Sequence, residues 1–213
     1  NVILHIMGGY RLPLLLNVPF SQKDEAKALG ARWNPQLKKW YVNNREEYHK
    51  FSKWFHNKDT NLIVSEHLYI AIGNQTCFKC KSDIKIILLA ADNYTVIDDG
   101  SEVFDEEINF ISNISNMPSN LQRFLNDNFK YCKRYSETSQ SNYFANHCSN
   151  CGVFQGIRDN GPFFIDSEEK ASELVLYAIK LKNDLELNGS ADWGSLDWMI
   201  KEYATFKSLD LDL

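Results

Sequence analysis

Four of the five cysteines stand in two C-x-x-C pairs, which are the strongest chemical signal in the sequence. Cys77 and Cys80 form the first pair, and Cys148 and Cys151 form the second after 67 intervening residues. Two residues between cysteines allow a tight turn to direct both sulfur atoms at one point. Two such turns supply the four thiolates of a closed, structural Zn²⁺ site. The pattern therefore predicts one structural zinc ion that is bound by all four cysteines.

Other uses of the same cysteines remain open. Two disulfides would account for all four, a redox pair would account for one C-x-x-C, and uncoordinated core cysteines are a third alternative. Disulfides fit poorly with a cytoplasmic location, which we expect because the N-terminus lacks the basic region and cleavage site of a signal peptide. His147 precedes Cys148 and is an alternative ligand, whereas the sequence leaves the role of Cys132 open.

The interval between the two pairs exceeds the roughly 15–20 residues of a compact zinc site. We therefore predict that residues 61–166 form a β-rich, zinc-ribbon-like module with an insertion between its two cysteine turns. Apolar residues from 84 to 98 indicate a hairpin around Asp92-Asn93, and a helix is predicted over 119–129.

Residues 13–60 contain short elements that are separated by turn residues. Pro19 ends an apolar strand, and the helix that follows it ends before Gly30. A β-hairpin with aromatic residues on both strands turns at Asn34-Pro35, and a second helix follows the hairpin. This order predicts a small β-α-β-β-α domain.

Residues 167–213 are predicted to form a helical tail. One helix begins after Ser167 and continues to about Leu185, and a second spans about 196–206. Residues 1–12 are expected to be a lead-in that is partly of vector origin. The fold class predicted from all segments together is α+β, with a small N-terminal domain, a zinc-ribbon-like module and C-terminal helices.

The formal net charge of −5 excludes a uniformly basic nucleic-acid-binding protein. Residues 1–60 nevertheless hold ten Lys/Arg and five Asp/Glu, whereas residues 61–213 hold 13 Lys/Arg and 23 Asp/Glu. Such a split is typical of two units with different partners. We expect DNA or RNA to bind the N-terminal basic unit and a protein partner to bind the acidic C-terminal part. Two ordinary solvated surfaces are the alternative.

Seven residues of the basic unit are candidates for contacts with nucleic acid. Cationic side chains can bind phosphates, and an exposed indole can stack on an unpaired base. The alternative is that the tryptophans belong to the core and that the cations only solvate the surface. The candidates are Lys23, Lys27, Arg32, Trp33, Lys38, Lys39 and Trp40.

No catalytic residue is predicted, because the sequence contains no G-x-x-x-x-G-K-[ST], G-x-G-x-x-G or H-E-x-x-H motif. Carboxylates at Asp98-Asp99 and at 105–107 are able to bind Mg²⁺, but an acidic run in a loop is usually only solvated. An enzyme with a dispersed site stays an alternative. No apolar run approaches the ~18–20 residues of a membrane span, so no membrane partner is expected.

Two parts of the sequence resemble bacterial families. The runs 16–20, 23–33 and 38–42 resemble a small bacterial domain of unknown function that occurs in conjugative-plasmid primase-like proteins and other mobile-element proteins. The segments 77–80 and 143–156 resemble the zinc-knuckle module that follows this domain in uncharacterised bacterial proteins. The first resemblance implies a role near nucleic-acid processing and transfers no catalytic residue.

These observations favour a zinc-stabilised, non-catalytic binding protein that acts near nucleic acid. A protein–protein interaction or adaptor module is one alternative. An enzyme whose residues converge only in three dimensions is the other.

Overall fold

The structure, a computed structural model, contains β-sheets and short helices among the residues that it describes. This mixture confirms the predicted α+β class. The residues that the structure describes do not include the predicted lead-in over 1–12 or the Asp98-Asp99 pair. The side chains of 102–106 and Asp192 also lie outside the described part. The structure describes residues 13–97, 102–137, 140–157, 161–192 and 198–213.

The N-terminal unit contains the first sheet and one α-helix. These elements are β1 (Leu14–Leu16), α1 (Lys23–Ala28), β2 (Arg32–Asn34) and β3 (Lys39–Val42). The three strands are antiparallel in the order β1-β3-β2. A short 3₁₀ helix at Phe20–Gln22 leads into α1, and a longer one at Arg45–Trp54 follows β3.

The longer 3₁₀ helix lies where the sequence predicts the second helix of this unit. Its buried residues recur at every third position, as Arg45, Tyr48, Phe51 and Trp54. A 3₁₀ helix has three residues per turn, so residues at this spacing share one face. The spacing therefore explains why the segment is 3₁₀ rather than α-helical.

The remaining elements lie between residues 62 and 208. They are β4 (Leu62–Val64), β5 (His67–Thr76), β6 (Asp83–Val96), β7 (Glu102–Asn116), α2 (Ser119–Phe129), β8 (Tyr131–Ser136), β9 (Ser141–His147), β10 (Phe154–Gln155), α3 (Glu168–Ser172), β11 (Val175–Lys180), β12 (Leu185–Asp192), α4 (Trp198–Tyr203) and β13 (Thr205–Ser208). Seven strands form one sheet in the order β13-β11-β5-β6-β4-β12-β7, and three form another in the order β10-β9-β8.

The large sheet curls until it closes on itself. Strand β6 pairs with β5 and β4 along one edge and with β7 along the other, and β12 pairs with both β4 and β7. These pairings close a ring of four strands, β4-β6-β7-β12. The predicted hairpin around Asp92-Asn93 is wrong, because β6 runs through both residues as a single strand. They lie instead at a shift of register between β6 and β7.

The predicted helical tail is also wrong, because most of it forms strands of the large sheet. Among the described residues of this segment, α3 and α4 are helical, whereas β11, β12 and β13 are strands. The apolar residues of β11 contact two different buried clusters, with Leu176 in one and Ile179 in the other. A strand that is buried on both faces has no polar side, and its continuous apolar run resembles that of a helix.

Three buried clusters form the core. Two of them contain residues of the large sheet, and the third fills the N-terminal unit and includes Ile63 of β4. A polar contact also joins the N-terminal unit to the large sheet, since the Tyr48 hydroxyl donates a 2.6 Å hydrogen bond to Asp184 Oδ2. Arg45 Nε lies 3.8 Å from the same carboxylate oxygen. Burial raises the pKa of Asp184 although both neighbours favour its ionised form.

Gly73 in β5 gives a test of this packing, because a Cβ atom there would lie 2.4 Å from Pro162 Cβ. We expect Gly73→Ala to lower the free energy of unfolding by about 1–3 kcal/mol, since overpacking forces the backbone or the proline to move. Chemical or thermal denaturation measures this change.

Gly156→Ala is the matched control, since the nearest atom to its added Cβ is 3.7 Å away, an ordinary contact. We expect it to change the stability by less than about 0.5 kcal/mol. Equal stability losses in the two variants would contradict the close approach of β5 to Pro162.

Candidate metal centre

The first C-x-x-C pair occupies the turn between β5 and β6. Cys77 follows the last residue of β5, and its N–H donates a 2.9 Å hydrogen bond to the Ser82 carbonyl oxygen. The Lys81 N–H donates a 3.0 Å bond back to the Cys77 carbonyl oxygen. Lys81 has a φ of 62°, in the left-handed region that few residues other than glycine adopt readily. The turn is thereby closed by two backbone bonds.

The second pair occupies the turn between β9 and β10 and repeats this geometry. The Cys148 N–H donates to the Val153 carbonyl oxygen at 2.8 Å, and the Gly152 N–H donates to the Cys148 carbonyl oxygen at 2.9 Å. Gly152, which is the counterpart of Lys81, has a φ of 69°. Two turns with the same bonding pattern therefore present their cysteines to each other.

The four sulfur atoms of these turns all lie within 4.8 Å of one another. The Sγ atoms of Cys77 and Cys151 are 3.8 Å apart, and those of Cys80 and Cys148 are 3.6 Å apart. A disulfide would require a separation of about 2.05 Å. A tetrahedral ion with metal–sulfur bonds of about 2.3 Å requires sulfur atoms about 3.8 Å apart. The four cysteines are close enough to hold a metal ion.

Hydrogen bonds within the first turn favour the thiolate form of its cysteines. The Ser82 hydroxyl and backbone N–H, together with the Asn150 amide, lower the pKa of Cys80 to about 5. Burial opposes ionisation of Cys77, but the backbone N–H groups of Cys80 and Lys79 outweigh it and hold the pKa of Cys77 below its usual value. Thiolates are the form in which cysteine binds metal ions.

Cys151 differs from Cys77 and Cys80, because the crowded group around it opposes its ionisation. The Val153 N–H favours its thiolate, but burial and the three neighbouring cysteines outweigh that bond and raise the pKa of Cys151 to about 11. Negative charges at these separations repel one another. A bound divalent cation would offset that repulsion and allow all four groups to ionise.

Two amide side chains also contact the sulfur atoms, one from inside the second C-x-x-C motif and one from β10. The buried Gln155 donates to Cys77 Sγ at 3.2 Å, and Asn150 donates to Cys80 Sγ at 3.6 Å and to Ser82 Oγ at 3.0 Å. Such contacts orient ligands and reduce the charge on a thiolate. The sequence analysis missed these residues. The sequence signal that could have found them is their position, since Asn150 and Gln155 each lie within four residues of a cysteine.

The alternative ligand His147 lies outside the sulfur cluster. Its Nδ1 atom is 3.1 Å from the Ala145 carbonyl oxygen and 3.4 Å from Cys132 Sγ. The fifth cysteine, Cys132, therefore contacts this histidine and not the four clustered thiols. Within the described parts of the chain, the four cysteines of the two turns are the one group of three or more side chains placed to share a metal ion.

The two tryptophans predicted to contact nucleic acid lie on neighbouring strands of the N-terminal sheet, Trp33 on the edge strand β2 and Trp40 on the central strand β3. Trp33 is 49% exposed, and its ring meets that of the half-buried Trp40 edge-on at a centroid distance of 5.7 Å. The alternative expectation that both belong to the core is wrong for Trp33, because β2 is an edge strand. Trp54 supplies the fully buried indole of this unit.

The cations predicted to bind phosphate do not share one face. Arg32 pairs with Tyr41 and Lys39 pairs with Asn34, so side-chain alternation places both cations on the opposite face from Trp33. Lys23 instead stacks on the highly exposed ring of Phe20, with its Nζ 4.1 Å from the ring centre. The ion pairs among described residues include none of the five candidates, which are Lys23, Lys27, Arg32, Lys38 and Lys39.

The acidic C-terminus is not a free tail. Leu209, Leu211 and Leu213 pack against the main buried cluster, and Lys182 forms an ion pair with Asp212 at 2.8 Å. The carboxylates of 210 and 212, which belong to the acidic part predicted to contact a protein partner, therefore lie on a segment that packs against the core. Among the helices that the structure describes, none is long and apolar enough to cross a membrane.

The N-terminal part of the chain has known relatives. Residues 14–56 match a family described as a domain of unknown function, DUF5710. A segment of 39 residues is 56% identical to a DNA primase TraC of Escherichia coli and 51% identical to a second protein of that name and organism. Each match covers 18% of this chain and only 4% or 3% of the primase. No solved structure matches the chain.

These matches confirm the resemblance of the N-terminal domain to a domain found in primase-like proteins. The family match ends at residue 56, so it does not bear on the cysteine turns. The resemblance of the cysteine segments to a zinc-knuckle module stays a prediction.

The sulfur geometry generates a direct test. We expect one metal ion per chain in the purified protein and its loss in Cys77→Ser, because three thiolates no longer complete a tetrahedral site. The variant should lose several kcal/mol of stability, since structural metal sites contribute on the order of 10 kcal/mol in small domains. Elemental analysis and thermal denaturation measure the two effects.

Cys132→Ser is the matched control, because Cys132 contacts His147 outside the sulfur cluster. We expect it to keep the metal and to unfold close to the wild-type temperature. A Cys77→Ser protein with its full metal content would show that the cluster is not the binding site.

Proposed function

We propose that this protein is a zinc-stabilised, non-catalytic protein that binds nucleic acid, in the setting of DNA processing or a mobile element. The observation that carries the proposal is the N-terminal similarity to DNA primases, in a unit that exposes Trp33. The five candidate cations of that unit form none of the ion pairs found among the described residues. We propose residues 13–60 as the nucleic-acid-binding domain. The metal site belongs to the second part of the chain.

Zinc is the metal that best fits the cysteine cluster. Four thiolates in a closed tetrahedral arrangement are typical of structural zinc, which has no redox chemistry and needs no open position. Both cysteine turns end antiparallel strands, which supports a zinc-ribbon-like arrangement. Thiols that remain reduced are also typical of the cytoplasm, where we propose that the protein acts.

Binding through the N-terminal unit would combine charge and stacking. Lys38 and Lys39 stand at the turn end of the hairpin that carries Trp33 and Trp40, with Lys39 on the opposite face from both indoles. A strand that stacks on Trp33 would therefore meet these cations where it passes around the turn. Stacking on an aromatic side chain contributes about 1–3 kcal/mol per base. The acidic remainder of the chain disfavours a second, non-specific polyanion contact over most of its surface.

A protein partner for the acidic part is the second candidate. The observation that favours it is the surplus of Asp/Glu in residues 61–213. Capture of a defined basic protein by the full chain, which high salt disrupts and added DNA does not replace, would support this candidate.

The salt dependence of DNA binding tests the principal proposal. Each phosphate contact adds about 0.9 to the slope of log affinity against log salt for duplex DNA. We expect the double variant Lys38→Gln, Lys39→Gln to bind more weakly and to lose up to about two units of that slope. Fluorescence anisotropy with labelled oligonucleotides at several salt concentrations measures it.

Lys50→Gln, Lys53→Gln is the matched control, because it removes the same charge from the same unit. Both lysines already form ion pairs, with Glu47 and Glu25 respectively. We expect a smaller loss of affinity and an almost unchanged slope. An equal effect of the two double variants would mean that net charge alone governs binding, and an absence of salt-sensitive binding in the wild type would remove the proposal.

A further inference from the structure

The sheet formed by β8, β9 and β10 has an inner and an outer face. Tyr131 and Phe144 lie on the inner face and belong to the main buried cluster. Because side chains alternate along a strand, the residues next to them point the other way. The outer face carries Cys132, Arg134, Tyr143, His147 and Phe154.

Three aromatic rings and one guanidinium are grouped on this outer face. The Arg134 guanidinium carbon lies 4.3 Å from the centre of the Phe154 ring. The His147 ring meets Phe154 edge-on at a centroid distance of 6.3 Å, and Tyr143 is the direct cross-strand partner of Arg134. We call Arg134, Tyr143, His147 and Phe154 the outer platform.

The core does not account for the outer platform. None of its four residues belongs to the three buried clusters that the described residues form. Arg134 is exposed, and Tyr143, His147 and Phe154 are half-buried. A contiguous group of partly exposed aromatic side chains outside the core marks a candidate interaction surface.

The charge around the outer platform differs from that of the surrounding chain. Residues 61–213 carry an excess of ten acidic groups, but the segments 77–85 and 130–157 together hold six Lys/Arg and only two Asp/Glu. These two segments build both cysteine turns and all of the outer platform. These segments are therefore locally basic within an acidic region, which favours contact with a polyanion, and Arg134 is the cation that alternation places on the outer face itself.

We propose that the outer platform binds single-stranded DNA. Tyr143 and the side of Phe154 that Arg134 does not cover offer ring surface for unpaired bases. Arg134 pairs with a backbone phosphate or stacks on a base with its other face. A duplex keeps the faces of its bases inside the helix, so it gains only the electrostatic part of this contact. The choice of DNA rests on the proposed function and on the primase relatives, whereas the residues are separate from those of the N-terminal unit.

Binding of a short fluorescein-labelled oligothymidylate to the full chain tests the proposal. We expect Phe154→Leu to weaken binding about 10-fold, because leucine keeps the apolar volume and loses the stacking face. We expect Arg134→Gln to weaken it about 5-fold or more, because it removes a phosphate contact and a stacking plane. A duplex of the same length should change about 2-fold or less in Phe154→Leu, since duplex bases are not available for stacking.

Lys133→Gln is the matched control, because Lys133 precedes Arg134 in β8 and lies on the other face of the strand. Removing its charge should weaken binding less than Arg134→Gln does. Metal content and melting temperature must match the wild type in all three variants, which separates loss of the surface from loss of the fold.

The proposal fails if Lys133→Gln and Arg134→Gln have equal effects, or if Phe154→Leu weakens single-stranded and duplex binding equally. Tighter binding of the corresponding RNA than of DNA overturns the choice of DNA.

The double variant Lys38→Gln, Lys39→Gln keeps the two proposals distinguishable. If only that variant weakens binding, the outer platform is wrong and the proposed function stands. If only the platform variants do so, the N-terminal surface is wrong and the platform stands.

Discussion

The arrangement of this molecule depends on four sulfur atoms that meet although their turns are far apart in the sequence. Thiolates as close as 3.6 Å repel one another and stay together only with a cation among them or with protons on some of them. The turns that carry them end β5 and β9, which belong to different sheets. The sulfur cluster therefore holds the small sheet β8-β9-β10 against the large one.

The same cluster is continuous with apolar packing. Cys77 and Cys148 belong to the buried cluster that also contains Ile86 and Leu176 of the large sheet. Strand β11 lies between that cluster and the main one, with alternate side chains in each. Movement of the cysteine turns thus disturbs a layer of side chains that reaches the centre of the sheet, because well-packed interiors leave few voids to absorb it.

Local signals in the sequence predict the parts of the fold that depend on local chemistry. The C-x-x-C spacing indicates the sulfur cluster because each turn is a short-range structure, and the turn at Asn34-Pro35 indicates the N-terminal hairpin. The helical tail was wrong because the strand identity of Leu176 comes from distant partners on both sides. Gln155 was missed for a related reason, since only the fold brings its amide to Cys77.

The closed ring of strands has a consequence for the order in which the chain folds. Strand β4 lies between β6 and β12, so one of its edges stays unpaired until residues near 190 have been synthesised. Both cysteine turns and the whole small sheet precede β12 in the chain. During synthesis the nascent protein can therefore bring its four cysteines together while the ring is still open, and the emergence of β12 closes it.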